Sequence, residues 1–472
     1  MRKPLILFFF LLLFNQLKAQ QYGLFNTKTL FDGFENPAQK TFVLDSSRKY
    51  ASNFFLPYLG INATTKGGDQ VIRDLIDNGK TSSIIISGDP KDINKVYHNS
   101  NIYLFNFKIF NSYKFQKELG FSWQLRADVN LKYTNGLLAT FNQKEWFKIK
   151  EQSFDALNNH GYSQSYHQFS VTYRENYNKQ LAFGAKLSLL SGITYNKLEI
   201  TNSTLDFIPS GAHPTNEDIS ITLTGRYKSN FLKIKDQSSS ILMPNFKNPG
   251  LAASFGTTYT SKTGYTLIAN IKDLGFIRWS NKSYVANLEN TPLDRLNTLN
   301  RKEIEDKITD AVIDNAQNKS FISPTNAKAD FLISKTFSFY TPSLIVSKNL
   351  FYNGGDAALV NKFYYSGFSI SAIPVYDFNN LFLFGMQGMY QTPNFEFFMG
   401  SDNLFKTARL AYSKIQNTTS SSSGYNGASF YIGLGIKFGY TVEHPQNSSY
   451  MPGLNNQETS FFQRIFSIFS KN

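Results

Sequence analysis

The stretch LGFSWQLRADVNLKY, residues 119–133, alternates apolar and polar side chains over its whole length. Its odd-numbered residues are apolar or aromatic, and its even-numbered residues include Gln124, Arg126, Asp128, Asn130 and Lys132. Side chains alternate between two faces along a β-strand, so the pattern predicts a strand with one apolar and one polar face. The run is also much longer than the usual strand of about 5–6 residues. A long strand of this kind is typical of a wall that separates lipid from water.

The same alternation recurs along most of the chain and predicts a sheet of about fourteen strands. The clearest further runs are 101–110, 167–175, 181–189, 219–227, 251–260, 264–273, 329–340, 343–350, 362–373, 380–390, 394–401, 406–415 and 428–440. A less regular first strand is expected near residues 51–63.

Two all-β architectures share this pattern. A soluble sandwich or barrel buries its apolar face, whereas an outer-membrane barrel turns that face to lipid and its polar face to the lumen. Many runs reach the length of about 9–11 residues that a tilted strand needs to cross a bilayer. Tyr133, Tyr173, Tyr340 and Tyr440 lie near strand ends, as in the aromatic girdles of membrane barrels. The pattern favours a transmembrane antiparallel β-barrel spanning residues 51–440.

The start of the chain predicts export. Arg2 and Lys3 precede an apolar run over residues 5–14, and Ala19-Gln20 offers a cleavage point, so residues 1–20 are interpreted as a signal peptide. No later apolar run approaches the length of about 20 residues required of a membrane-spanning helix. The chain has no cysteine, and its net charge of +14 suits contact with anionic lipid head groups. Scattered basic residues and export argue against nucleic acid as a partner.

Three segments fall outside the alternating pattern. Residues 21–50 have no sustained alternation, and we expect either a hatch or plug in the lumen or a short periplasmic lead-in. Residues 61–100 are expected to form an exposed loop with a short helix near residues 70–78. Residues 281–328 are a partly helical loop, which spaces Ile304, Ile308 and Ala311 at helical intervals. That loop is interpreted as a rim helix, a lid or a partner-docking element.

The end of the chain, residues 441–472, is predicted to be a linker followed by an amphipathic helix. One helical stripe contains Phe461, Phe462, Ile465, Phe466 and Phe469. Such a helix suits the membrane surface, the barrel mouth, a protein partner or the outside of its own barrel.

Several segments resemble the DUF5723 group of Bacteroidetes outer-membrane proteins. They are FDGFENPAQKTF, SRKYASNFFLPYLGIN, QSYHQFSVTYREN, KNPGLAASFG, IKDLGFIRWS and FEFFMGSDNLF. The group looks related to long-chain fatty-acid transporter barrels and to type IX secretion accessory barrels. The resemblance implies a fourteen-strand barrel with an N-terminal hatch that contains Asn36, Pro37 and Ala38. The helical insertion at 301–317 and the tail after Tyr440 depart from the transporter pattern.

Catalytic chemistry is weakly represented in the sequence. The five histidines are His98, His160, His167, His213 and His444, and none has a second ligand at metal-binding spacing. His98 and Ser100 share one strand face, as a base and a nucleophile do in some outer-membrane hydrolases. No orienting carboxylate accompanies them, and a triad needs that third group. The sequence therefore predicts a protein that is not an enzyme and has no metal or cofactor.

Two functions remain open from the sequence. The first is an accessory or scaffold subunit of an outer-membrane assembly, which binds other outer-membrane or periplasmic proteins. The alternative is a passive transporter of hydrophobic small molecules, with polar residues such as Gln124, Arg126, Asp128, Asn130 and Lys132 lining the lumen. Either protein would contact outer-membrane lipid and lipopolysaccharide.

Overall fold

A computed structural model describes most of the predicted barrel. The described residues are 21–42, 48–67, 89, 91–112, 116–142, 153–209, 217–231, 243–294, 296, 301–378, 381–415, 427–441 and 462. The predicted signal peptide, the predicted helix near residues 70–78, and the tail residues Phe461, Ile465, Phe466 and Phe469 lie outside them. Within the described residues no helix is long and apolar enough to cross a membrane.

The described residues contain twenty β-strands and four α-helices. The strands are β1 (Arg48–Ser52), β2 (Tyr58–Lys66), β3 (Ile93–Ser112), β4 (Lys117–Thr134), β5 (Ser153–Phe154), β6 (His160–Asn176), β7 (Leu181–Pro209), β8 (Glu217–Ser229), β9 (Pro249–Thr260), β10 (Tyr265–Trp279), β11 (Tyr284–Leu293), β12 (Ala316–Asn318), β13 (Phe321–Pro324), β14 (Lys328–Lys335), β15 (Tyr340–Asn349), β16 (Gly355–Tyr365), β17 (Phe368–Asp377), β18 (Leu381–Gln391), β19 (Phe395–Ser401) and β20 (Gly427–Thr441). The helices are α1 (Asp32–Glu35), α2 (Asn135–Asn142), α3 (Arg301–Asp314) and α4 (Leu404–Ile415).

The sheet closes into an antiparallel barrel of fourteen wall strands, as the sequence predicts. β1 and β2 together form the first wall strand, because both pair with β20 on one side and β3 on the other. Around the wall follow β3, β4, β6, β7, β9, β10, β14, β15, β16, β17, β18, β19 and β20. Closure gives each described wall strand a paired neighbour on both sides, which is how a strand wall survives in lipid.

The predicted two-faced character is clearest on neighbouring residues of β7 and β9. Lys186 and Ser254 point inward and are almost fully buried, whereas Leu187 and Phe255 point outward and are 65% and 54% exposed. The same contrast occurs at Asp330 and Phe331 on β14. An outer face of large exposed apolar side chains around a closed barrel is the signature of a membrane barrel.

The two ends of the barrel differ in their connections. At one end the strands are joined by two to four residues, at 113–116, 177–180, 261–264, 336–339, 366–367 and 392–394. The opposite end has two short connections, 350–354 and 378–380, and the long connections 67–92, 135–159, 280–327 and 402–426. Membrane barrels have short periplasmic turns and long external loops, so we assign the long-loop end to the cell exterior.

At the external end the sheet continues beyond the closed wall. The far half of β7 leaves β9 and pairs with β8, which pairs with β11. The helix α3 packs on this extension through Ile304, which is completely buried in an apolar cluster with Leu205 and Ile219. The helical insertion therefore covers the external rim.

Three of the predicted strands are wrong in detail, and the expected loop at residues 61–100 is wrong at both ends, which belong to β2 and β3. Residues 329–340 run past the end of β14 and through the turn before β15. Residues 406–415 belong to the helix α4. On this helix Phe405, Ala408, Arg409 and Tyr412 are exposed at helical spacing. Residues 362–373 span the turn between β16 and β17, whose hairpin pairs Tyr365 with Phe368. In that hairpin Gly367 adopts a positive φ of 85°, which favours glycine.

Candidate functional site

Residues 21–42, which we call the inner segment, lie inside the barrel. Leu30, Phe31 and Phe34 are almost completely buried, and Phe31 packs on Tyr58 and Phe398 of the wall with ring centroids 4.7 and 5.3 Å apart. No strand of the wall forms a β-ladder with the inner segment in the described part of the chain. Side chains and individual backbone groups therefore hold it in place.

The carboxylate of Glu35 is the main polar contact between the inner segment and the wall. Arg126 Nη2 lies 2.6 Å from its Oε1 and Lys272 Nζ lies 2.8 Å from its Oε2. Tyr103 and Asn101 donate further hydrogen bonds to Oε1 at 2.5 and 2.9 Å. Although burial alone would raise it, the two cations hold the pKa of Glu35 well below its usual range. Glu35 is therefore ionised, and its carboxylate binds side chains from three wall strands, β3, β4 and β10.

A second carboxylate extends this network into the wall. Asp273 lies 2.5 Å from Arg126 Nη1 and 2.9 Å from Lys186 Nζ. Asp273 points inward next to the inward Lys272 because the register of β10 against β9 shifts between Ile271 and Leu274. Asp273 accordingly has a positive φ of 53°. We call Glu35, Arg126, Lys272, Asp273 and Lys186 the charge hub.

The periplasmic end of the inner segment has a separate attachment. Glu118 accepts hydrogen bonds from the backbone N–H and the hydroxyl of Thr41 at 3.1 and 2.8 Å, and it pairs with Lys108 at 2.9 Å. Arg174 donates to the backbone carbonyl of Ala38 at 2.9 Å. The first half of the inner segment is attached as well, since the Tyr22 hydroxyl donates to Asp356 at 2.7 Å and the backbone N–H of Leu30 donates to Glu396 at 2.6 Å.

The predicted hatch residues Asn36, Pro37 and Ala38 lie against two wall glycines. A Cβ on Gly184 of β7 would meet the carbonyl of Pro37 at 2.1 Å, so the backbone passes where a side chain would stand. A Cβ on Gly256 of β9 would lie 2.5 Å from Asn36 Oδ1 and 3.2 Å from Ala38 Cβ. Glycine at these positions permits the close approach.

The predicted lumen residues of β4 face the interior for most of its length. Gln124, Arg126, Asp128 and Asn130 are buried, whereas Lys132 is half-buried near the external end. Asp128 accepts hydrogen bonds from Asn326 and from Asn99 on β3. Arg126 alone of the five contacts the inner segment through an ion pair in the described structure. Their part in transport stays a prediction.

The wall is interrupted directly outside the inner segment. Residues 53–57, which we call the wall gap, separate β1 from β2, and Phe54 and Phe55 there have positive φ values of 49° and 61°. Both rings point outward and are 48% and 66% exposed. Asn53 maintains the contact with β3, since its Oδ1 accepts from the backbone N–H of Asn106 at 2.8 Å.

On the inner side of the wall gap stands the aromatic cluster of the inner segment. β1 pairs with residues 436–441 of β20 and β2 pairs with residues 427–432, so the intervening residues lack a partner in the first wall strand. A Cβ on Gly433 in this interval would lie 2.9 Å from both Phe31 and Tyr58. The aromatic cluster therefore lies on the inner side of the only break in the first wall strand among the described residues.

Two cavities differ greatly in size and position. A space of about 20 Å³ between the inner segment and the wall is lined by residues such as Phe31, Glu35 and Tyr58. A groove of about 1130 Å³ lies on the outer face of β4, β6, β7, β9 and β10, lined by apolar side chains that include Trp123 and Leu187. This inner space has room for about one water molecule.

The structure brings His98 and Ser100 together but places no orienting carboxylate beside them among the described residues. His98 Nε2 and Ser100 Oγ lie 3.1 Å apart on β3, and both residues are buried. No carboxylate hydrogen-bonds to His98 in the described part of the chain. The described residues also contain no cluster of His, Asp or Glu able to hold a metal.

The tail residue Phe462 lies against the outer face of the barrel at its periplasmic end. Its ring packs near Phe183 and Tyr173 with centroids 5.6 and 6.2 Å apart, and its backbone N–H donates to Glu175 at 2.7 Å. The role predicted for the stripe from Phe461 to Phe469 stays a prediction.

Sequence reasoning missed Glu35, Lys272, Asp273 and Lys186 of the charge hub. The adjacent charges Lys272 and Asp273 were the available signal, because two neighbouring inward residues break the alternation of a strand and mark a bulge. Glu35 adjoins the predicted hatch motif but has no partner nearby in sequence.

A closed barrel of fourteen strands with an apolar outer face and an internal N-terminal segment defines an outer-membrane β-barrel protein. The chain belongs to DUF5723, a family of unknown function, whose model matches residues 47–402. The predicted family is thereby confirmed. No protein of curated function matches the chain in sequence.

Solved structures similar to this chain include two toluene transporters and one FadL homologue. The Ralstonia pickettii toluene transporter TbuX is 9% identical with a TM-score of 0.42, covering 86% of this chain and 93% of TbuX. The Pseudomonas putida toluene transporter TodX is 9% identical with a TM-score of 0.39, covering 89% and 94%. A Pseudomonas aeruginosa FadL homologue is 10% identical with a TM-score of 0.39, covering 83% and 91%.

Proposed function

We propose that the barrel is a passive conduit for hydrophobic small molecules across the outer membrane and that the inner segment is its hatch. The observation that carries the proposal is the position of the wall gap. Phe31 and Tyr58 lie directly behind it, and Phe54 and Phe55 stand in front of it on the lipid side. A hydrophobic solute that leaves the lumen there passes from apolar side chains into lipid without entering water.

The backbone at the wall gap supports its role as the outlet. The gap removes the ladder between the first wall strand and β20 over a short interval, while Asn53 keeps the contact with β3. Non-glycine residues in the left-handed region cost free energy and are often found at functional sites. Phe54 and Phe55 are two successive residues of this kind.

The attachment of the inner segment supports its role as a movable hatch. The space beside it is too small for an organic solute, so passage requires the segment to move. It has no ladder to the wall among the described residues, and its polar contacts are separate hydrogen bonds and ion pairs, at Tyr22, Asn26, Thr27, Leu30, Glu35, Ala38 and Thr41. Movement therefore breaks these separate contacts and leaves the barrel wall intact.

A reversible cross-link tests the proposal. The chain has no cysteine, so the pair Ala38→Cys and Gly256→Cys gives one defined disulfide between the hatch and β9. The 3.2 Å between the Cβ positions is close to the ~3.5–4.5 Å of disulfides, and the nearby Asn36 amide is a side-chain end that can turn away. We expect the oxidised variant to stop uptake of labelled toluene and oleate, used as hydrophobic probes, and dithiothreitol to restore it.

The two single-cysteine variants are the matched controls, and both should transport under oxidising and reducing conditions alike. Transport that continues at the wild-type rate in the fully oxidised double variant refutes the hatch. An absence of uptake of either probe by the reduced wild-type barrel, above that of cells without it, refutes the conduit.

A second function, an accessory subunit of an outer-membrane assembly, is favoured by the filled interior. Between the inner segment and the wall the described space holds about 20 Å³, and the charge hub occupies the centre of the barrel. A gentle detergent pull-down separates the two functions. Stoichiometric partners of the full chain that are lost when it ends at Tyr440 would support the accessory role, and a lone barrel in both preparations would exclude docking through the tail.

A further inference from the structure

The helix α4 occupies a place in the wall where a strand is missing. β19 pairs with β18 only over Met386–Gln391 and with β20 only over Tyr431–Ile436. Both neighbours continue towards the exterior beyond that interval, by Leu381–Gly385 on β18 and Gly427–Phe430 on β20. The helix follows β19 directly and contacts both neighbours, so it takes the position of the external half of β19.

One face of α4 is fastened to the barrel. The Thr407 hydroxyl donates to the Asn403 carbonyl at 2.7 Å and accepts from the backbone N–H of Ser429 on β20 at 2.9 Å. Phe405 stacks on Phe384, an outward residue of β18, with ring centroids 5.2 Å apart. The helix is therefore continuous with the lipid-facing surface of the wall.

The exposed part of the α4 surface, which includes one side of the Phe405 ring, is aromatic and basic. Phe405 and Tyr412 are 63% and 65% exposed, and Ala408 and Arg409 are exposed between them. The helix sequence LFKTARLAYSKI has three basic residues and no acidic one. Residues 405, 408, 409 and 412 share one face at helical spacing, so the exposed face presents rings and a cation together.

The position and chemistry of the exposed face of α4 indicate what kind of molecule binds there. Aromatic and basic side chains on an exposed helix face suit the boundary between acyl chains and anionic head groups. The external end of the barrel faces the outer leaflet, whose lipid in these membranes is a phosphorylated glycolipid. The strongly exposed Phe382 on the neighbouring outer wall places the acyl-chain region beside Phe405.

We propose that the exposed face of α4 docks into the outer leaflet and binds a phosphorylated glycolipid of the lipid A type. Arg409 contacts a phosphate, and the rings of Phe405 and Tyr412 lie among the acyl chains. The helix completes the wall above the end of β19 and fastens that side of the barrel to the external lipid. This interaction does not depend on whether the barrel conducts a solute.

Depth in the bilayer provides the first test. A single-cysteine variant, Ala408→Cys, carries an environment-sensitive nitrobenzoxadiazole label in nanodiscs of phosphatidylcholine with diphosphoryl lipid A. We expect a blue-shifted emission that doxyl-labelled lipids quench. The matched control is the same label at Asp310→Cys on the exposed side of α3, which should emit as in water. A label at residue 408 that emits as in water, or that is shielded by a second copy of the chain instead of by lipid, overturns the proposal.

Lipid selectivity provides the second test. A basic residue contributes favourable free energy to binding at an anionic membrane surface. The change Arg409→Gln should therefore lower the affinity for diphosphoryl lipid A about fivefold. The change Lys262→Gln in an exposed periplasmic turn is the charge-matched control and should leave that affinity unchanged. Native mass spectrometry measures the bound lipid, with phosphatidylglycerol as the competing anion. Equal retention of lipid A by both variants, or preference for phosphatidylglycerol, refutes the assignment.

Discussion

The substitution Glu35→Gln should release the hatch from the barrel wall. The glutamine keeps the shape of the side chain and can still accept one hydrogen bond from Tyr103. It removes the charge that pairs with Arg126 and Lys272 at 2.6 and 2.8 Å. Arg126 retains Asp273, but Lys272 loses its only ion pair among the described residues.

The magnitude follows from the burial of the two cations. Removing one partner of a buried ion pair costs about 3–5 kcal/mol, because the other charge stays buried and uncompensated. The side chain of Glu35 is 21% exposed and that of Lys272 is 5% exposed, so water screens part of the interaction. We expect the lower end of the range, about 3 kcal/mol, which raises the fraction of open hatch about 100-fold.

Thiol accessibility measures this change directly. Ala38 is completely buried three residues from Glu35, and a lone cysteine there reacts with maleimide only when the hatch opens. In the Ala38→Cys background the labelling rate should rise about 100-fold on adding Glu35→Gln, provided that opening limits the reaction. Heat-modifiable migration on gels verifies that the barrel is folded.

The matched control is Glu199→Gln, which removes another glutamate from an ion pair, here with Lys197 at 3.3 Å. Both of those side chains are about half exposed, so this pair contributes little. Its labelling rate should equal that of the parent. A rise of less than about threefold for Glu35→Gln, or an equal rise for both variants, would show that the charge hub does not hold the hatch.

Three further predictions concern the hatch and the tail. Gly184→Ala should displace the hatch and raise the same labelling rate, because its Cβ meets the Pro37 backbone, whereas Gly388→Ala, which meets nothing within 4 Å, should leave the rate unchanged. Burial raises the pKa of Asp32 to about 6, so the proton bound in the closed state stabilises the hatch below that pH and is lost as the pH rises through 6. A spin label at Lys40→Cys should therefore report more open hatch at pH 8 than at pH 5, and Asp32→Asn should remove the part of the difference that Asp32 contributes, about tenfold. Phe462→Ala should free the tail from the barrel, which limited proteolysis would detect as faster cleavage after residue 441, and an unchanged rate would contradict the docking.

The strand wall could be predicted from the sequence because its cause is local. Every wall strand separates lipid from the interior, and that separation imposes a period of two on consecutive residues. The helix α4 escaped prediction because KTARLAYSKI alternates as well as a strand does over a few residues. The helical spacing of Phe405, Ala408, Arg409 and Tyr412 was the available signal for a helix.

The charge hub could not be predicted for a different reason. Glu35 and Lys272 are 237 positions apart, and their meeting depends on closure of the whole barrel. Inward positions on any strand of a barrel are polar, so Arg126 looked no different from Lys132 in sequence. Only the path of the inner segment distinguishes the arginine that holds it from the lysine that does not.

The wall gap also bears on how the barrel is assembled. Its ladder joins the first wall strand to the last, pairing Arg48 with Thr441 across the whole sequence of the wall. Contacts between such distant residues form late, because the loop between them must be closed first. The inner segment precedes β1 and must be inside before this seam closes. Folding and the proposed release of a solute would therefore use the same line in the wall, because the seam that closes last as the barrel forms is the one through which a solute would leave.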